Sequence, residues 1–239
     1  MNSPEKIAAF FDLDGTLVPP PSLEWRFVGY LLARDKIGCA DVARWAGGFA
    51  RSLLRDPRAA TIANKLYLAG LPESLAADWE DSLLPDSLKL LAGGVERLEW
   101  HLAQGHRTFF VSGTLECLAH AAARRLPWPA EVRATTLEVR DGRWTGRLRG
   151  DHMSGEAKAR TIRNLAAQFG VSLWDSYAYG NSVSDLPMLD SVGHPVAVNP
   201  SSRLRRIARS EGLQICDWAE PVNPIPAAPR GTLSPGEAR

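Results

Sequence analysis

Five apolar residues, Ile7 to Phe11, run straight into two aspartates and a glycine: IAAFF followed by DLDGT. A run this short and this uniformly apolar reads as a β-strand covered on both faces. Such a strand needs a layer on each side of its sheet. It then stops on charge. Asp12 and Asp14 lie two apart, so both can face one side of an extended chain, with Leu13 on the other. Gly15 permits a sharp exit and a close backbone approach. Two acids at a strand end point to a metal site or an acid/base pair. A lone DxD also fits a calcium-loop fragment, a glycosyltransferase-like motif or an Asx turn. The calcium loop fails because its further ligands and closing glutamate are missing at the required spacing.

The rest of the chain supplies the two layers. From Ser22 to Leu84 the pattern is helical: SLEWRFVGYLLARD, DVARWAGGFARSLLRD, PRAATIANKLYLAG and PESLAADWEDSLL predict about four helices. In the second, Val42, Trp45, Phe49 and Leu53 share a face. After Pro85 helices and strands alternate. DSLKLLAGGVERLEWHLAQG reads as one helix, HRTFFVSG as a strand, and TTLEVRDGRWTGRL as a hairpin turning at Asp141-Gly142. Further helix and strand pairs follow to LQIC, and from Pro221 composition predicts a mobile tail. The fold class expected is α/β, a doubly wound, mostly parallel, Rossmann-like sheet with an inserted helical domain. The core would comprise residues 1–21 and 85–220, the helical insert 22–84 and the tail 221–239. Ligands of such sheets bind outside the carboxyl ends of the strands.

Composition narrows the class of partner. A formal charge of +1 argues against a dedicated nucleic-acid or membrane-surface binder. Cys39, Cys117 and Cys216 are far apart and form no CxxC pair, so neither a disulfide framework nor a zinc site is expected. No apolar run has the length of a spanning helix, and the first residues lack the core of a signal peptide. The expectation is a cytoplasmic protein.

Three more strand ends or helix starts carry polar groups. FFVSGT offers the Ser112 hydroxyl and the Gly113 N–H, both able to donate to phosphate oxygens, though a helix N-cap at Ser112 or Thr114 reads equally from these residues. Lys158 in SGEAKART falls in the first turn of a helix, where the dipole disfavours a cation. GNSVSDLPML brings Asn181 and Asp185 after another strand. Together, DLDGTL, VSGT, the helix lysine and GNSVSD resemble, in order, the four motifs of the haloacid dehalogenase (HAD) superfamily of phosphatases. The helical block after the first motif, with LEWHLAQGH and VGHPVAVNP, resembles the phosphoserine-phosphatase-like branch, subfamily IB. The stretch PPPSLEW departs from the polar run of phosphoserine phosphatases, so phosphoserine itself is not the expected substrate.

The resemblance implies a magnesium-dependent (Mg2+) phosphomonoesterase acting on a small phosphorylated metabolite. Asp12 would attack phosphorus to form an aspartyl-phosphate, and Asp14 would protonate the leaving alkoxide and later deprotonate water. Ser112, Gly113 and Lys158 would hold the phosphate. The metal would take the Asp12 side chain, the Asp14 carbonyl and the side chain of Asn181, with Asp185 steadying the loop and a metal-bound water. Asn181 stands where the family pattern has an acid. It keeps an oxygen ligand but loses a charge. The charge matters because two like charges ~4 Å apart at an effective dielectric of ~20 repel by about 4 kcal/mol. A lipid-phosphate phosphatase, a phosphotransferase on the same fold, and a non-catalytic phosphate-ligand binder weakened at Asn181 are the alternatives. The aromatics Trp25, Tyr30, Trp45, Tyr67 and Trp79 are expected to be packing residues, and Glu24 and Arg26 are candidates to face the crevice.

Overall fold

The computed structural model describes residues 6–38, 65–124, 130–218 and 221–222, together with positions 40, 41, 43, 47 and 126. The first apolar run forms β1 (Ala8–Phe11), every residue of which has no exposed surface. It sits inside a six-stranded parallel sheet. Its neighbours are β3 (Arg107–Leu115) and β7 (Tyr177–Gly180). Outward from β3 lies β4 (Glu131–Thr135); outward from β7 lie β8 (His194–Val198) and β9 (Gln214–Cys216). The doubly wound α/β expectation holds.

Alternate side chains of β1 serve opposite layers, as the strand period requires. Phe10 stacks on Phe109 at a centroid distance of 5.3 Å, in a core with Ile162, Leu165, Met188 and Leu204. These come from α5 (Glu156–Phe169), α6 (Leu186–Leu189) and α7 (Ser202–Glu211). Phe11 stacks on Tyr179 at 4.5 Å in the other core, with Phe27, Trp79, Leu98 and Leu118. Those four belong to α1 (Leu23–Ala33), α2 (Leu75–Ser87), α3 (Ala92–Ala103) and α4 (Glu116–Arg124). Burying one such phenylalanine contributes roughly 1.5–3 kcal/mol. The two layers thus fix the strand, and the strand fixes where Asp12 emerges.

Several expectations change in detail. The run from Asp86 to Gly105 is not one helix. The end of α2 passes through a two-residue strand, β2 (Leu90–Leu91), into α3. β2 pairs antiparallel with β10 (Pro221–Val222), so the first two residues of the stretch read as a tail are tied to the core. A two-residue strand has no period to read, which is why composition alone missed it. Of the helical block, α1 and α2 are present, whereas KLYLAG contributes a 3-10 turn at Leu66–Leu68. The helix with Val42, Trp45, Phe49 and Leu53 lies outside the described residues. Tyr30 and Trp79 pack as expected, but Trp25 is 70% exposed. Leu23, Phe27, Tyr30 and Leu31 form the buried stripe of α1, and Trp25 falls off it. The hairpin β5 (Leu137–Arg140) to β6 (Arg143–Leu148) turns at Asp141-Gly142, with φ of 49° and 70°, as read from the sequence.

Behind the strand ends lies an imidazole cluster. His101 is fully buried; its Nδ1 is 2.8 Å from Nδ1 of His106 and its Nε2 2.8 Å from the Tyr179 hydroxyl. Burial, then His106 and Arg97, push its pKa down to about 3. The folded state therefore favours the neutral ring. The stability this contributes is present above the unfolded value of ~6.5 and is lost as pH falls toward about 3. His101→Gln removes the titration while keeping a polar group toward Tyr179. It is expected to melt below the parent at pH 7, and the gap should narrow by roughly several degrees at pH 5. Thermal melts of both proteins at the two pH values check this; a constant gap would show that His101 does not couple folding to pH.

Candidate active site

The polar residues singled out in the sequence converge at the carboxyl ends of β1, β3 and β7. Asp12 follows β1 directly, is 5% exposed, and its N–H donates to the Tyr179 carbonyl at 2.9 Å. Lys158, two residues into α5, reaches across and donates to Asp12 Oδ1 and Asp185 Oδ1, each at 2.6 Å. The unusual lysine of a helix first turn is thus a buried cation shared by two carboxylates. Thr16 Oγ1 donates to the second Asp12 oxygen at 3.1 Å.

Asp185 is fully committed. Its Oδ2 accepts from the N–H groups of Asn181 and Ser182 at 3.1 and 2.9 Å and from the Ser182 hydroxyl at 2.9 Å. It ties the loop after β7 into a closed turn. Gly180 leaves it room, since a Cβ there would stand 2.5 Å from the Asp185 Cβ. Asn181 lies against Gly15. With φ of 81°, Gly15 takes a backbone conformation side chains disfavour, and a Cβ on it would be 1.9 Å from Asn181 Nδ2. The first and last motifs therefore touch.

Ser112 and Gly113 do not end their strand. β3 continues to Leu115, and its register with β4 slips between Ser112 and Leu115. Such an irregularity interrupts the ladder and re-aims backbone and side chains. Gly113 is also where the loop before α5 approaches: a Cβ there would be 3.1 Å from His152 Cε1. Thr135 fixes the pair, donating to the Gly113 carbonyl at 2.8 Å and accepting from Met153 N at 3.1 Å.

A cavity of about 330 Å³ opens over this cluster. It is lined by all seven expected site residues, Asp12, Asp14, Ser112, Gly113, Lys158, Asn181 and Asp185. Glu24 also lines it, while Arg26, outside the lining, donates to the Pro19 and Pro21 carbonyls and its charge acts on Asp14. Thr114, His152, Ser154 and Ser184 line it too and were not foreseen. Isolated serines, threonines and histidines carry no sequence signal beyond ordinary surface chemistry; only the converging backbone reveals them.

Two buried carboxylates, Asp12 and Asp185, and the half-buried Asp14 share one ammonium's surroundings. Burial first, then Asp185 and Asp14, push the Asp12 pKa up to about 7, with Lys158 pulling the other way. Asp14 is raised chiefly by burial, partly offset by the Leu23 N–H that donates to its Oδ1 at 2.8 Å. Burial opposes the Lys158 ammonium, but Asp12 and Asp185 outweigh it and raise its pKa. The site is thus under-supplied with positive charge. Among the described residues no group of three or more His, Cys, Asp or Glu could form a metal cage. Asp14 and Asn181 line the same cavity as Asp12, and all three side chains carry oxygen. That set suits a hard divalent cation which keeps water and phosphate oxygens as its other ligands.

The haloacid dehalogenase-like hydrolase family matches residues 9–190 of the chain. The chain belongs to that family. Relatives of this HAD-type phosphatase include the phosphoserine phosphatase SerB1 of Mycobacterium tuberculosis, 35% identical over 221 residues, covering 88% of this chain and 70% of that one. Among solved structures, a protein of unknown function from Bordetella pertussis Tohama I has a TM-score of 0.72 at 28% identity, covering 90% and 100% of the two chains. A phospho-aspartyl intermediate analogue of phosphoserine phosphatase has a TM-score of 0.60 at 23% identity, covering 90% and 94%, which shows a shared HAD fold.

Proposed function

We propose that this HAD-type phosphatase is a magnesium-dependent phosphomonoesterase that hydrolyses a small phosphorylated metabolite through an aspartyl-phosphate on Asp12. The observation that carries the reading is the Lys158 bridge between Asp12 and Asp185 at the base of the cavity. A buried ammonium at that point orients the nucleophile and offsets phosphate charge in a medium where each charge counts for more than in water.

The Asp12 carboxylate forms a bond to phosphorus as the ester P–O bond breaks, splitting one difficult displacement into two. Asp14 gives its proton to the departing alkoxide; its raised pKa suits it to hold a proton until then. In the second step Asp14 takes a proton from the water that attacks phosphorus and frees Asp12. Ser112 and the Gly113 N–H donate to phosphate oxygens with Lys158. The Asp12 carboxylate, the Asp14 carbonyl and the Asn181 side chain would hold Mg2+, which when bound supplies positive charge to offset the phosphate. Asp185, both oxygens occupied, positions the loop. Residues 22–84 would act as a cap that closes over the cavity and selects the substrate. We place the enzyme in the cytoplasm. No helix among the described residues is long and apolar enough to cross a membrane.

A panel of phosphorylated metabolites, assayed with and without Mg2+, tests the reading. Asn181→Asp restores a carboxylate at the third ligand and should lower the Mg2+ concentration for half-maximal turnover by on the order of tenfold. An unchanged Mg2+ dependence would remove Asn181 from the ligand set. Tight binding of one panel member without turnover would favour a binding protein.

A further inference from the structure

The cavity wall contributed by the first turn of α1 is Glu24, and its charge is already met. Lys65 Nζ donates to both of its carboxylate oxygens at 2.6 Å, and the Tyr67 hydroxyl donates to Oε1 at 2.6 Å. Lys65 is 6% exposed and is not among the cavity-lining residues, so it holds Glu24 from behind. A fully formed ion pair of this kind presents no net charge to a ligand. Glu24 Oε2, with the lysine as its donor, keeps lone-pair capacity for a neutral O–H. Of the other residues lining the cavity, Thr114, Ser154 and Ser184 carry hydroxyls, and burial and Lys65 favour the neutral ring of His152.

We propose that Lys65 is a specificity-determining residue: by saturating Glu24 it makes the wall facing the leaving group uncharged, so the site selects phosphate esters of neutral, hydroxylated alcohols over those of amino alcohols. The inference rests on the phosphomonoesterase reading and adds a substrate class to it. An ammonium-bearing ester such as phosphoserine would have to compete with Lys65 for Glu24, or lose the water around its own charge with no counter-ion in return.

Three two-carbon esters of nearly equal size separate the charge states: ethanolamine phosphate (cationic), 2-hydroxyethyl phosphate (neutral) and phosphoglycolate (anionic). The readout is the ratio of their kcat/KM values within one preparation, which cancels any difference in active fraction. The parent should favour 2-hydroxyethyl phosphate over ethanolamine phosphate by roughly tenfold or more. Lys65→Met frees the Glu24 charge and should move the ratio toward ethanolamine phosphate by roughly tenfold or more. Glu24→Gln frees the lysine instead and should move preference toward phosphoglycolate. Opposite shifts from the two variants cannot arise from a shared structural defect, and either variant alone keeps the idea open to refutation. A parent that prefers ethanolamine phosphate, or ratios that do not move in the variants, would overturn this inference and leave the phosphomonoesterase intact. A parent that turns over none of the three, nor p-nitrophenyl phosphate, sinks the phosphomonoesterase and this inference together.

Discussion

Asp12→Asn is expected to lower turnover of every phosphate ester by on the order of 10⁴-fold or more, because an amide cannot replace a carboxylate nucleophile. The change is nearly isosteric, so Thr16 and the Tyr179 carbonyl keep their partners and the fold should survive. Acid quenching of the parent with ³²P-labelled substrate should leave label on the protein, absent from the variant. Turnover equal to the parent's would end the covalent reading. Loss of turnover with label still bound to protein would move the nucleophile elsewhere.

The second large effect is on folding as well as chemistry. Lys158→Met leaves the Asp12 and Asp185 carboxylates buried without their shared ammonium, each formerly 2.6 Å from it. Removing one partner of a buried pair costs about 3–5 kcal/mol. At roughly 2–4 °C per kcal/mol for a chain of this size, Tm should fall by on the order of 10 °C. Turnover should fall with it even at temperatures where the variant is folded. A variant that melts with the parent would mean the carboxylates are neutral in the native protein. Comparing melts with and without Mg2+ adds a further check: a divalent ion should recover part of the loss in the variant, since it supplies charge to the same carboxylates.

The core of the site was legible because its chemistry is local. Each functional side chain sits within a few residues of a strand end or a helix start, and strand ends can be read from where an apolar run stops. Lys158 was legible for a second reason, its awkward position against a helix dipole. Asn181 stood out as an uncharged residue in a loop otherwise resembling an acidic one. The geometry still added what residues alone could not state. Asp185 Oδ1 meets Lys158 while its Oδ2 gathers three donors from the loop, a division of labour no residue spacing states. Nothing in the sequence announces that Glu24 meets a lysine 41 residues later and a tyrosine 43 residues later, since pairs across a cavity have no period. For the same reason His152 went unnoticed, and Thr114 was read only as a helix cap. Amphipathic spacing told which segments are helical and which stripe is buried, but a bulky aromatic off the stripe, Trp25, was mistaken for a packing residue.

The strand that begins the fold is the one flanked by latecomers. β1 bonds to β3 and β7, registering Ala8 with Arg107 and Ala9 with Tyr177. On the ribosome, Asp12 is therefore made well before Lys158 and the loop after β7 that complete its surroundings. At about 5–20 residues per second it waits many seconds as an ordinary, solvated acid. Nascent or truncated products that stop short of β7 carry Asp12 and Lys158 but lack Asp185 and the loop it closes.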